Sequence, residues 1–99
     1  MSSVIKHYRD PQTGHRYTIK FRPEADGIYT LWALDAPENT YGGSVTDHHL
    51  YSSGEICVDA RHKPRSLERA VAIAVYWMNR YSAFVTSGTF PKTPGRVNV

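Results

Sequence analysis

Hydrophobic and polar positions alternate most clearly in the first third of the chain. Tyr17, Ile19 and Phe21 alternate with Thr18, Lys20 and Arg22. That period of two predicts a strand with one buried and one wet face. The run Val4–Arg9 predicts a shorter strand before it. Between them, Asp10-Pro11-Gln12-Thr13-Gly14 reads as a turn, because Pro presets φ and Gly accepts positive φ. Pro23-Glu24-Ala25-Asp26-Gly27 marks the next turn. Residues 28–34 are apolar on both faces, which predicts a central strand covered on both sides. These elements together make an antiparallel β-meander.

Periodicity then disappears. Residues 35–54 hold Pro37, Gly42, Gly43 and Gly54 among Asn, Ser, Thr and His. A connection of that length in a small domain is usually functional. Residues 55–59 read as a short extended segment carrying Cys57. A helix follows: Ser66 is a favourable N-cap and Glu68 suits the first turn. Leu67, Ala70, Val71, Ala74, Val75 and Met78 fall at helical spacing, with Ile73, Trp77, Arg80 and Phe84 as a second stripe. A helix of about 20 residues would run ~30 Å. It is apolar over more than half its circumference and is therefore the expected core helix. Gly88 offers a stop, Pro91 and Pro94 forbid continuation, and residues 92–99 read as a flexible tail. The pattern predicts an α+β domain over residues 1–91, a meander packed on one long helix.

Composition narrows the possibilities. A chain of 99 residues, 40% hydrophobic and 12% aromatic, suits one globular domain with one core. The one cysteine excludes an internal disulfide and any multi-cysteine metal cluster. The longest nearly apolar stretch, residues 70–81, is far short of the ~20 residues a membrane span needs. The first residues lack the apolar run of a secretory signal, so a cytoplasmic location is expected. The net charge of +3 is uneven: residues 1–59 hold five Lys/Arg against eight Asp/Glu, and residues 60–99 hold seven against one. The basic excess begins at Arg61, Lys63 and Arg65, just after Cys57. A solvated face, the docking of an acidic partner, tuning of the thiol and nucleic-acid binding are the readings open to it. Without an RRM, KH or helix-turn-helix pattern, specific nucleic-acid recognition is not expected.

Candidate chemistry centres on Cys57, whose alternative is an inert buried thiol. His48 and His49 precede it across a glycine-containing loop, and Arg61, His62, Lys63 and Arg65 follow it. Positive groups favour the nucleophilic thiolate, while Asp47 and Asp59 oppose it. The His and Cys spacing matches no zinc template, so no metal is expected. A Cys-His protease needs a larger cleft-forming fold. No glycine-rich phosphate loop is present, so no nucleotide cofactor is expected. An acyl group reaching Cys57 must arrive already activated.

The order of meander, histidine-bearing loop, Gly, cysteine segment and long helix resembles the ubiquitin-conjugating enzyme family. The likeness is closer to its bacterial branch found with anti-phage cGAS-like nucleotidyltransferases, the CBASS systems. That branch reads His-x-Tyr-x-x-Gly-x-Leu-Cys-Leu; here stand His49-Leu50-Tyr51-Ser52-Ser53-Gly54-Glu55-Ile56-Cys57-Val58. Trp77-Met78, Tyr81 and Ser87-Gly88-Thr89-Phe90-Pro91 match the branch's helix and its exit. The likeness covers roughly residues 15–91. The family's N-terminal helix is missing, and Asp47-His48-His49 stands where its His-Pro-Asn motif would lie. The resemblance implies a ubiquitin-conjugating-like fold and an acyl (aminoacyl) transferase with Cys57 as thioester nucleophile. It implies His49 as donor or proton relay, and His48, Tyr51 and Gly54 as the supporting loop. Tyr51 is expected to pack and His48 to be exposed. The implied partner is a cGAS-like nucleotidyltransferase whose C-terminal tail is conjugated or processed in bacterial antiviral defence. A separate activating enzyme would load the thiol, and Arg61, Lys63 and Arg65 would hold an acidic part of the partner. The alternative is a catalytically inactive adaptor of the same fold that binds a nucleotidyltransferase or ubiquitin-like partner.

Overall fold

Strand β2, Arg16–Pro23, buries Tyr17, Ile19 and Phe21 and leaves Thr18, Lys20 and Arg22 on the other face, as the alternation predicts. It lies between β1, Val4–Arg9, and β3, Tyr29–Asp35, in an antiparallel sheet of order β1-β2-β3. Phe21 sets the register, opposite Val4 on one side and Leu31 on the other. The molecule is described by a computed structural model over residues 2–91, so the expected tail at 92–99 lies outside the described residues.

Among the described residues, two α-helices and a short 3-10 turn, Ala60–His62, complete the fold. Helix α1 is a single turn, Val45–His48, within the stretch that lacks periodicity. Helix α2 runs Leu67–Ser87. The Ser66 side chain accepts from the Arg69 amide at 3.1 Å, satisfying an end donor that the helix cannot. Gly88, at φ +85°, ends the helix by donating to the Phe84 carbonyl at 2.7 Å. The aromatic ring of Tyr41 lies 3.0 Å from where a Gly88 Cβ would sit, so backbone conformation and packing both require glycine there.

The core is the interface between the inner sheet face and α2. Ile19, Phe21 and Leu31 meet Ala70, Ile73, Ala74, Trp77, Met78, Tyr81 and Phe84, with Ile56 joining from the cysteine segment. Full burial of a large apolar side chain contributes about 1.5–3 kcal/mol, so this one layer supplies most of the drive to fold. The Tyr17 hydroxyl enters the core with partners: Ser82 Oγ lies 2.6 Å away, and Ser82 also meets His15 Nδ1 at 3.0 Å. That cluster ties the β1–β2 hairpin to the helix.

Two expectations are corrected. Strand β3 is not covered on both sides: one helix covers one face of the sheet, and Leu34 is 53% exposed. The outer face of β3 is half-covered by its own neighbours, with Lys20 Nζ 5.5 Å and Arg22 Cζ 5.4 Å from the Trp32 ring centre. On α2, Val75 is 40% exposed, outside the buried face that Ala70, Ile73, Ala74, Trp77, Met78, Tyr81 and Phe84 form. Among the described residues no helix is long and apolar enough to cross a membrane.

Candidate active site

The cysteine segment is held by the edge of β3. Ala33 N donates to Gly54 O at 2.8 Å and Ile56 N to Leu31 O at 2.9 Å. The segment then folds against the preceding loop as a tight hairpin. Cys57 N donates to His49 O at 2.8 Å, Leu50 bridges Ile56, and Tyr51 N donates to Glu55 O at 2.9 Å. The connection is Ser52-Ser53-Gly54, with Gly54 at φ +97° and its amide donating to Tyr51 O at 2.9 Å. A three-residue loop ending in a positive-φ glycine is a standard hairpin closure. A Cβ on Gly54 would lie 3.2 Å from the Ala33 carbonyl oxygen. Because Leu50 and Ile56 face the core, the pairing places His49, Tyr51, Glu55 and Cys57 at alternate positions, toward the opposite face.

The loop leading into this hairpin is fixed from below. Asp47 Oδ2 accepts from Ser44 N at 2.7 Å and Ser44 Oγ at 3.1 Å, which closes α1. Those bonds, the backbone one first, hold the Asp47 carboxyl below its ordinary range. His49 ends the turn in the left-handed region, φ 60° and ψ 33°, which redirects the chain into the hairpin. Trp77 Nε1 donates to His48 O at 3.1 Å, anchoring the turn to α2.

The structure separates the two histidines. His48, expected to be exposed, is buried: its ring stands edge-on to Tyr81 and Phe84, with centroids 6.4 and 5.6 Å away. The left-handed residue after it turns the chain so that His48 faces the helix. It supports the loop from the core, through its carbonyl and through Nδ1, which accepts from Leu50 N at 3.3 Å. His49 lies opposite Cys57 in the backbone pairing, but its ring leans on Phe90 with centroids 4.8 Å apart. Burial, then the neighbouring His48, lower the His49 pKa, against a smaller opposing pull from Asp47.

Tyr51 shares a hairpin face with the thiol. Hydrogen bonding toward the Cys57 side chain, followed by the charge of Cys57, raises the phenol pKa above its ordinary value. Tyr51 is thus a protonated donor at neutral pH. Cys57 itself is a free thiol, half-buried. Tyr51 also lines an open groove of about 350 Å³ together with Ser52, Ser53, Glu55, Ile56, Val58 and Lys63.

The basic residues after Cys57 do not form one patch. Arg61 turns back on Asp59, with Nη2 3.4 Å from Oδ2. The Asp59 carboxyl is held below its ordinary range, chiefly by the Arg61 backbone amide. Arg65 Nη1 donates to the Asp26 carbonyl at 3.4 Å, on the β2–β3 turn. Lys63 alone reaches the groove. Sequence reasoning missed the groove and the contact between Tyr51 and Cys57. The available signal was Ser52-Ser53-Gly54, a hairpin loop whose recognition would have set His49 opposite Cys57. Among the described residues, no three His, Cys, Asp or Glu side chains gather as a metal ion would need. No protein-family model, curated protein or solved structure matches the chain.

Proposed function

We propose that this protein is a ubiquitin-conjugating-like acyltransferase whose Cys57 carries an acyl group as a thioester. The observation that carries the reading is the hairpin that sets a half-buried Cys57 beside the Tyr51 hydroxyl and across from His49. The order of meander, loop, cysteine segment and core helix supports it too.

The chemistry follows from the residues. The Cys57 thiolate attacks the carbonyl carbon of an activated acyl donor, a new C–S bond forms, and the donor's leaving group departs with the bonding electrons. An amine then attacks the thioester, and Cys57 leaves as thiolate. The amine loses a proton in that step. His49, neutral at pH 7 because its pKa is lowered, is the nearby group able to accept it. By the family likeness, the donor is the C-terminal tail of a cGAS-like nucleotidyltransferase, loaded by a separate activating enzyme in the cytoplasm during anti-phage defence. Lys63, which lines the groove, is the basic residue that would meet an acidic segment of that partner.

The test mixes the protein with a cGAS-like nucleotidyltransferase and an activating enzyme and seeks a thiol-reducible adduct. Adduct on the wild type and none on Cys57→Ala is the expected result. Conjugates that survive Cys57→Ala overturn the reading. A second reading, the non-catalytic adaptor, draws on the placement of the His49 ring against Phe90 and the use of Asp47 in capping. Partner binding unchanged by Cys57→Ala, with no adduct on the wild type, would establish it.

A further inference from the structure

We infer that the Tyr51 hydroxyl is the donor that receives the acyl oxygen while Cys57 is being acylated and deacylated. This role rests on the thioester reading above. When sulfur attacks a carbonyl, the carbonyl oxygen takes up negative charge and needs a hydrogen-bond donor beside the sulfur. Backbone amides usually fill that role, but two of those at this site are committed. Cys57 N donates to His49 O and Ile56 N donates to Leu31 O, and both bonds hold the hairpin together. The Asp47 carboxylate accepts hydrogen bonds and is engaged by Ser44. The His49 ring lies against Phe90.

Tyr51 meets the requirement. The 51–55 and 49–57 pairing puts it diagonal to Cys57 at alternate positions of one hairpin, a separation that an aromatic side chain spans. Both side chains stand on the same face of that hairpin, and Tyr51 forms part of a groove wall. On attack, the sulfur's electron pair forms the C–S bond and the carbonyl π electrons move to oxygen, which Tyr51 O–H stabilises. Collapse re-forms the carbonyl and expels the donor's thiolate. Tyr51 keeps its proton throughout.

The experiment compares two reactions of the same thiol. S-acetyl-N-acetylcysteamine acylates Cys57 through a tetrahedral oxyanion; iodoacetamide alkylates it by displacing iodide, with no oxyanion. Rates are read by intact mass for wild type and Tyr51→Phe. Tyr51 is 44% exposed and Phe keeps the ring, so the fold tolerates the change. The expected result is acyl transfer slowed at least about tenfold, with alkylation changed less than about threefold. Equal slowing of both reactions, or of neither, overturns the role of Tyr51 and leaves the thioester reading intact. A wild type that alkylates but never acylates overturns both.

Discussion

The Trp77 indole N–H donates to the His48 carbonyl at 3.1 Å, so the buried middle of α2 holds the loop that carries the candidate site. The next carbonyl along, that of His49, accepts from Cys57 N at 2.8 Å. Two bonds in series thus connect the core helix to the thiol. Trp77→Phe removes the donor and leaves a carbonyl beside a buried side chain without its partner, at a cost of about 1–3 kcal/mol. For a domain of this size each kcal/mol lowers Tm by about 4–8 °C. Thermal unfolding measures the loss. Faster hydrogen exchange at the Cys57 amide should accompany it; an unchanged amide would mean that the loop does not depend on Trp77.

Elements whose cause is local were legible in the sequence. Alternation in β2 and the Ser66 and Gly88 caps of α2 each depend on a few consecutive residues. Elements whose cause is distant were not. Helix α1 has four residues, too few to stand alone, and depends on Trp77, 29 positions from His48. His48 is polar and lies in a loop, which suggests exposure; only the left-handed His49 and the aromatic wall of α2 bury it. Strand β3 reads as doubly buried because Trp32 and Leu34 are apolar. The charged ends of Lys20 and Arg22 instead lie over the Trp32 ring, a pairing that depends on register. In the site, Cys57, His49, Tyr51 and Gly54 are brought together by the hairpin, whereas Arg61 and Arg65 are drawn apart by Asp59 and the Asp26 carbonyl.

Gly54 tests the hairpin itself. Its φ of +97° strains any other residue, and a Cβ would press on the Ala33 carbonyl oxygen at 3.2 Å. Gly54→Ala should destabilise the protein by about 1–3 kcal/mol. Because the strain falls where residue 54 bonds to β3, Cys57 placement should suffer with it. Urea denaturation gives the first quantity, and the iodoacetamide rate at Cys57 reports the second. A variant as stable as wild type would contradict the left-handed turn.

Stability should respond to acid in two windows. An imidazole with a lowered folded pKa binds its proton more weakly in the folded state. Its contribution is complete above the unfolded pKa of about 6.5 and is lost as pH falls from there through the folded pKa. His49 is such a group, lowered by burial and by His48. The carboxyls of Asp10, Glu24, Asp47 and Asp59 are all held below their range, led by hydrogen bonds from Gln12 N, the Thr30 side chain, Ser44 N and Arg61 N respectively. Their contribution is present above the unfolded values near 4 and disappears below that. His49→Asn keeps a residue that tolerates the left-handed region. Tm measured against pH should show wild type losing ground to this variant as pH falls below about 6.5. Parallel curves would remove His49 from the account.

The contact between Tyr51 and Cys57 can be read directly from tyrosine ionisation. The chain has seven tyrosines, and several resist losing their proton for different reasons. Burial pushes Tyr17 up to about 12 and raises Tyr8 and Tyr81. Tyr51 is raised chiefly by its hydrogen bond to Cys57 and then by the charge of that residue. Replacing the thiol should therefore affect one tyrosine and spare the buried ones. In Cys57→Ala, alkaline titration of tyrosinate absorbance should show one phenol moving down toward the ordinary value of about 10. The same titration of Tyr51→Phe identifies that phenol by its disappearance. A Cys57→Ala curve that superimposes on wild type would mean that the hydroxyl does not engage the sulfur, and the proposed role of Tyr51 toward the acyl oxygen would lose its foundation.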